Sequence, residues 1–200
     1  MALRTADAEA AARELQARGI PVDEPIRISR PVDTPDGRAD AGFVVALIAG
    51  EATPATTMFL CQHLTPEHVW LPELRRHPNT AEQLDSVTVL VDDPAAVVEP
   101  YAALFGAGGV STSADGFVTV VTGGAAPIRF VGPAALAARC RGMDLAGSVP
   151  PAIVGLGVRV RNLTAARVCL DDAGIVPAAV DGGYCVAPRE ACGVLLKFCG

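Results

Sequence analysis

Short apolar runs separated by turn residues alternate along the chain with stretches in which alanine, valine and leucine recur at helical spacing, the two periodicities that mark strands and amphipathic helices. Three segments share one layout: MALRTADAEAAARELQARGI, SVTVLVDDPAAVVEPYAALFG and GLGVRVRNLTAARVCLDDAGI. In each, a strand-like run is followed by Asp7, Asp93 or Asn162, a short polar side chain able to accept a hydrogen bond from an orphan N–H of a first helical turn. The spacing predicts a helix after each of them. Gly19, Gly106 and Gly174 follow the three caps by 12, 13 and 12 residues, and glycine in that place predicts a left-handed helix end. Pro94, directly after Asp93, suits a first helical position, where its missing N–H costs nothing.

Beyond each glycine the pattern returns to short apolar runs between turn signals, which predicts strands. They fall near residues 25–30, 43–48 and 57–63, then 109–112, 117–121 and 127–131, then 177–180, 183–187 and 193–198, with Asp115-Gly116, Gly123-Gly124 and Asp181-Gly182 as turns and PVDTPDGRAD as a loop. The expected fold class is α+β, built of three βαβββ units. The units span residues 1–64, 84–133 and 151–200, joined by a linker over 65–83 that holds an HPNT turn and a second linker over 134–150. One helix covers one face of such a unit, so the other face needs a partner. The second and third units are expected to pair into a curved mixed sheet forming a ligand cup. The first unit, left without a mate, implies a homodimer.

Composition narrows the function classes. The 200 residues are 50% hydrophobic and 19% charged, with mean hydropathy +0.36, too apolar for a disordered chain. The net charge of −6 and the single lysine, Lys197, speak against a nucleic-acid partner. The longest apolar stretch, AGFVVALIAG, is about half the length of a membrane span, so no membrane partner is expected. The N-terminus lacks the charged and apolar regions of a signal peptide, and the six cysteines form no C-x-x-C pair. A cytoplasmic protein with reduced thiols is expected.

Candidate chemistry gathers in one place. His63, His68 and His77 are all the histidines of the chain, and Glu67 lies among them. Imidazole beside carboxylate could serve as general acid and base or hold a metal. Equally, Thr65-Pro66-Glu67 could open a short helix and His77-Pro78-Asn79 form a turn. His63 and Glu67 are taken as catalytic candidates. Arg30, Gln62, Trp70, His77, Asn79, Arg129 and Lys197 are candidate substrate-binding residues. Trp70, the only tryptophan, could instead be a core anchor. Arg129 and Lys197 would favour an anionic ligand if both faced the cup, and would face solvent after a one-residue change of register. Cys61 shares a strand face with His63 by two-residue alternation. TGGAAP and GAGGVS lack the pattern of a phosphate loop.

The runs FLCQHLTPEHVW, HPNT and ISRPV, set in this repeat pattern, resemble the vicinal oxygen chelate superfamily of glyoxalases, extradiol dioxygenases and bleomycin-resistance proteins, and within it the glyoxalase-like domain proteins. The resemblance implies a small-molecule ligand in a βαβββ cup, with lyase, isomerase or dioxygenase-type chemistry if the protein is an enzyme. It also implies metal-ligand positions about seven residues before the helix cap and on the fourth strand of a unit. Here they hold Ser86, Gly155, Arg129 and Lys197, so no metal ligand is assigned and no cofactor is expected in the cup of the second and third units. A divalent metal remains open at the first unit only. The expected function is binding of a small anionic organic molecule by a divergent glyoxalase-like protein. The alternative is a non-catalytic dimeric small-molecule-binding or scaffold protein.

Overall fold

In the computed structural model, which describes residues 1–140 and 148–200, all three predicted caps are made. The Ala10, Ala95 and Ala165 N–H groups donate to Asp7 Oδ1 at 2.9 Å, Asp93 Oδ1 at 2.9 Å and Asn162 Oδ1 at 3.1 Å. The helices that follow are α1 (Ala8–Ala17), α2 (Val98–Phe105) and, later in the chain, α4 (Leu163–Asp172). Helices α1 and α4 close alike. Gly19 at φ 77° and Gly174 at φ 69° follow the last turn, and Ile20 and Ile175 N–H groups reach back to the Leu15 and Leu170 carbonyls at 3.0 and 2.9 Å, the hydrogen-bond pattern of a left-handed cap. Helix α2 departs from this. Pro100 cannot donate to a carbonyl of the preceding turn, so residues Pro94–Val97 form a 3-10 turn before the helix, and Gly106 ends it at φ 87° and ψ 148°, a positive-φ conformation outside the left-handed helical region.

The chain divides into two compact units, Met1–Arg75 and Arg76–Gly200. The first holds β1 (Ala2–Arg4), β2 (Ile26–Thr34), β3 (Gly37–Leu47) and β4 (Phe59–His63) in the order β1-β4-β3-β2, with α1 against one face. The expected loop PVDTPDGRAD is the tip of the β2–β3 hairpin, paired as far as Thr34 with Gly37. Exposed polar residues on both sides of this ribbon carry no apolar alternation, which is why the pattern hid it. Two 3-10 turns, Pro66–His68 and Pro72–Arg75, follow β4.

The second unit is one eight-stranded mixed sheet. Its strands are β5 (Ala81–Leu90), β6 (Val110–Thr112), β7 (Val118–Val120), β8 (Ile128–Val131), β9 (Ala152–Val160), β10 (Ala178–Val180), β11 (Gly183–Val186) and β12 (Leu195–Cys199), ordered β10-β11-β12-β9-β5-β8-β7-β6. The second and third repeats thus join through their first strands, β5 and β9, which run antiparallel. Helix α2 packs on one half, where Tyr101 meets Phe130 at 4.8 Å between ring centroids. Helix α4 covers the other half with Ala166 and Leu170 against Val160, Val186 and Phe198.

The expected linker over 134–150 opens inside a helix, α3 (Pro133–Arg139); residues 141–147 lie outside the described residues. Pro133 at the first position and the alanine-rich run that follows favour it. Its Leu136 is buried with Leu90, Phe117, Val131, Val154, Cys185 and Leu195. These strand residues alternate with those under α2 and α4, so α3 lies on the opposite face of the sheet.

Gly183 shows a close approach that sequence spacing cannot reveal: a Cβ there would lie 1.8 Å from the Phe198 carbonyl oxygen, whereas one at Gly174 would meet nothing within 4 Å. Gly174→Ala should therefore cost about 1–2 kcal/mol, the penalty of a left-handed alanine. Gly183→Ala should exceed that clearly, since the β11–β12 pair must also separate. Urea unfolding of the two variants, followed by far-ultraviolet circular dichroism, checks the order.

Candidate functional site

Strand register decides where the two isolated cations point. Arg129 lies between Ile128 and Phe130, which are buried on the α2 side, and Lys197 lies between Leu196 and Phe198, which belong to the α4 cluster. Both side chains therefore project from the face that carries α3. Thr88 pairs with Arg129 on one side and with Gly155 on the other; Gly157 pairs with Ser86 and with Lys197. The face between the cations is thus floored by Thr88, Gly155, Ser86 and Gly157. A Cβ at Gly157 would sit 2.5 Å from Ser86 Oγ, and one at Gly155 would sit 3.3 Å from Thr88 Cβ. The glycines leave the room that the two hydroxyl side chains occupy.

Further polar residues share this face. The register shift between Leu84 and Ser86 turns Asp85 toward it. Arg159 Nη2 donates to Asp85 Oδ1 at 2.9 Å. This bond holds the Asp85 carboxyl below the usual carboxylate range, against the opposing effect of burial, and a Cys199 hydrogen bond and the charge of Arg129 act in the same sense as Arg159. Burial, then the charge of Asp85, raises the Cys199 thiol. Glu82 is held by Arg161 at 2.8 Å. Among the described residues Arg129 and Lys197 form no ion pair, although both are partly buried.

The face is divided. Toward Leu90, Val131 and Leu195 it is apolar and closed by α3, which is anchored by Arg139 through an ion pair to Asp115 at 3.0 Å and a stack over Phe117 at 5.2 Å. Toward Ser86, Arg129 and Lys197 it is polar. Burial raises the Cys185 thiol of the apolar part, and the neighbouring Cys140 adds to the effect, so neither thiol of this region is poised as a nucleophile.

The histidine region resolves into separate parts. In the first unit His63 pairs with Phe43 across β4 and β3; its ring is edge-on to Phe43 at 5.1 Å and stacked on Trp70 at 5.6 Å. Among the described residues its buried Nδ1 has no hydrogen-bond partner. Arg30 is on the same face, two residues beyond Ile28, which pairs with Phe43. Gln62 points to the other face, where its Oε1 accepts from the Ala8 N–H at 3.1 Å. Glu67 is exposed in a 3-10 turn, and His68 Nδ1 lies 2.8 Å from the Asp40 carbonyl oxygen. Thr65 does not cap this turn: its hydroxyl accepts from the Gly42 N–H at 2.8 Å. His77 and Asn79 are in the second unit, in a turn where Thr80 N–H donates to the His77 carbonyl and Ala81 N–H to Asn79 Oδ1. Burial raises the Cys61 thiol.

A family model for a glyoxalase-like domain matches residues 1–105. The chain belongs to the glyoxalase-like domain family. Among solved structures this glyoxalase-like chain is similar to a hypothetical protein from Staphylococcus aureus, 16% identical with a TM-score of 0.62 over 98% of this chain and 64% of that one. It is also similar to a variant of homoprotocatechuate 2,3-dioxygenase from B. fuscum, 13% identical with a TM-score of 0.52 over 99% of this chain and 53% of that one. Methylmalonyl-CoA epimerase from Mycobacterium tuberculosis matches in part, 21% identical over 62% of this chain and 91% of that one, with a TM-score of 0.44. No curated protein matches the sequence. The chain spans under two thirds of the first two structures, and the likeness to those two shows the fold alone. No helix among the described residues is long and apolar enough to cross a membrane.

The ligand positions that the superfamily resemblance implies hold a hydroxyl, a bare glycine, a guanidinium and an ammonium, a donor set that does not fit a divalent ion. In the first unit, Ala2 pairs with Phe59 as Thr88 pairs with Arg129, so the matching fourth-strand position is Phe59, which has no donor atom. Among the described residues no three His, Cys, Asp or Glu side chains come together as a metal-holding group.

Sequence reasoning missed Asp85, Arg159 and Cys199. Alternation marks the strand residues on either side, but a bulge breaks it at Asp85. Because the folded-state pKa of Asp85 is depressed, its contribution is present above the ordinary carboxylate pKa and is lost as pH falls through the folded value. Asp85→Asn should cost about 0.5–1 kcal/mol at pH 7, the range for a partly exposed pair. The deficit should shrink toward zero on acidification below about pH 3.9, read by urea unfolding across that range.

Proposed function

We propose that the polar part of the eight-stranded sheet binds a small organic anion, with Arg129 and Lys197 as its charge partners. The observation that carries this reading is the pair of partly buried cations on one face, neither with an ion-pair partner among the described residues. A cation drawn out of water without a counter-charge is costly, and a bound carboxylate or phosphate offsets that cost through charge-assisted hydrogen bonds. Ser86 and Thr88 add hydroxyl groups between them, and the dioxygenase with the same fold acts on an organic acid by its printed name. Catalysis of lyase, isomerase or dioxygenase type would be a second step on the anion so held.

Two further parts belong to the same reading. Residence in the cytoplasm is supported by six free thiols. Dimerisation through the first unit is supported by the sheet face away from α1, where Ile26, Ile28 and Leu47 are exposed beside Phe43 and Val45.

Thermal unfolding at low ionic strength with short organic acids tests the binding. A ligand present at about ten times its Kd should raise Tm by roughly 3–6 °C. The doubly substituted protein, Arg129→Gln with Lys197→Gln, should show no shift while unfolding cooperatively without ligand. Absence of any shift in the unsubstituted protein across the panel would overturn the reading.

A further inference from the structure

We infer that the ligand is a dianion with its two charges at separate ends, such as a short dicarboxylate, laid across β5 and β9 with one end at Arg129 and the other at Lys197. This rests on the anion-binding reading above and goes beyond it by fixing the number and spacing of the ligand's charges. The cations do not stand side by side. Arg129 is on β8 and Lys197 on β12, with β5 and β9 between them, so their Cα atoms are about 14 Å apart across the three strand spacings and about 7 Å out of line along the strands, roughly 16 Å in all. A single carboxylate held by the Arg129 fork leaves Lys197 without a counter-charge, and the reverse holds as well.

Charge on the face gives the same count. Among the described residues Asp85 and Glu82 are each engaged by an arginine, Arg159 and Arg161, while Arg129 and Lys197 form no ion pair. The floor between them is low. Thr88 lies over Gly155 and Ser86 over Gly157, so among the described residues a ligand backbone crossing β5 and β9 meets two short hydroxyl side chains there. At one side the face is closed by Leu136 of α3 and the cluster around it, which keeps a ligand out of the apolar part.

The test is calorimetric titration of the unsubstituted protein, at low ionic strength and pH 7, with pairs of acids of equal chain length: butyrate with succinate, pentanoate with glutarate, hexanoate with adipate. At least one dicarboxylate should bind about tenfold or more tightly than its monocarboxylate partner. Arg129→Gln and Lys197→Gln, taken singly, should each bring that dicarboxylate down to the affinity of the monocarboxylate. If monocarboxylates bind and no dicarboxylate exceeds its partner, the dianion inference fails while anion binding stands. If a dicarboxylate is preferred but one substitution leaves the preference intact, the two-ended placement fails. If no acid of either series binds, both readings fall. The chain-length comparison is made on the unsubstituted protein and so holds even where a variant does not fold.

Discussion

The antiparallel pairing of β5 with β9 is the contact on which the second unit depends. Each of these strands is the first of its repeat, and each also pairs in parallel with the fourth strand of the same repeat, β8 or β12. One ladder therefore turns two four-stranded sheets into a single sheet of eight and sets both fourth strands on the same face. Steric room is the condition for it. Gly155 and Gly157 face Thr88 and Ser86, and a side chain at Gly157 would collide with the serine hydroxyl. The glycines that weaken β-propensity locally are what allow the two central strands to meet with their small polar residues inward.

From that ladder follows the division of the face opposite α2 and α4. Residues one strand position apart along β5, β8 and β12 either face the helices or face α3, and the latter set changes character along its length. Leu90, Val131 and Leu195 gather with Leu136 in an apolar cluster; two residues further along, the same strands carry Thr88, Arg129 and Lys197. Helix α3 settles on the apolar part because that is where its own buried leucine is matched. The polar part keeps its charges, and within it Asp85 is bound by Arg159 while, among the described residues, Arg129 and Lys197 form no ion pair. Electrostatic asymmetry at this site is thus a product of strand register and of where one short helix docks.

Much of the fold was legible in the chain because the signals that define it are local. Asp7, Asp93 and Asn162 cap helices wherever such a residue precedes an amphipathic run, and Gly19 and Gly174 end them in the expected conformation. What escaped was set by partners far away. The β2–β3 ribbon is polar on both sides and shows no alternation, so PVDTPDGRAD read as a loop. Helix α3 is short, and Leu136 makes it worth forming only because the sheet offers a cluster to receive it. The family resemblance pointed to Ser86 and Gly155 on first strands and to Arg129 and Lys197 on fourth strands, but the facing of the cations needed the register of β8 and β12. The histidine cluster was the opposite case: proximity in sequence spread into an aromatic stack at His63, a surface contact at His68 and a turn at His77.

The fold alone does not carry the chemistry. Two repeats joined through their first strands place fixed backbone positions around a shared face, and any residue set at those positions inherits the geometry. Carboxylates and imidazoles there would concentrate negative charge and free electron pairs, an arrangement that holds a cation. With Arg129 and Lys197 in those places the same geometry concentrates positive charge and donors without acceptors, which reverses the sign of what the face attracts. The serine and threonine between them suit either sign, since a hydroxyl can donate or accept. On the proposed reading the ligand preference rests on two side chains, and the eight-stranded sheet serves to hold them on one surface at a separation that neither could set by itself.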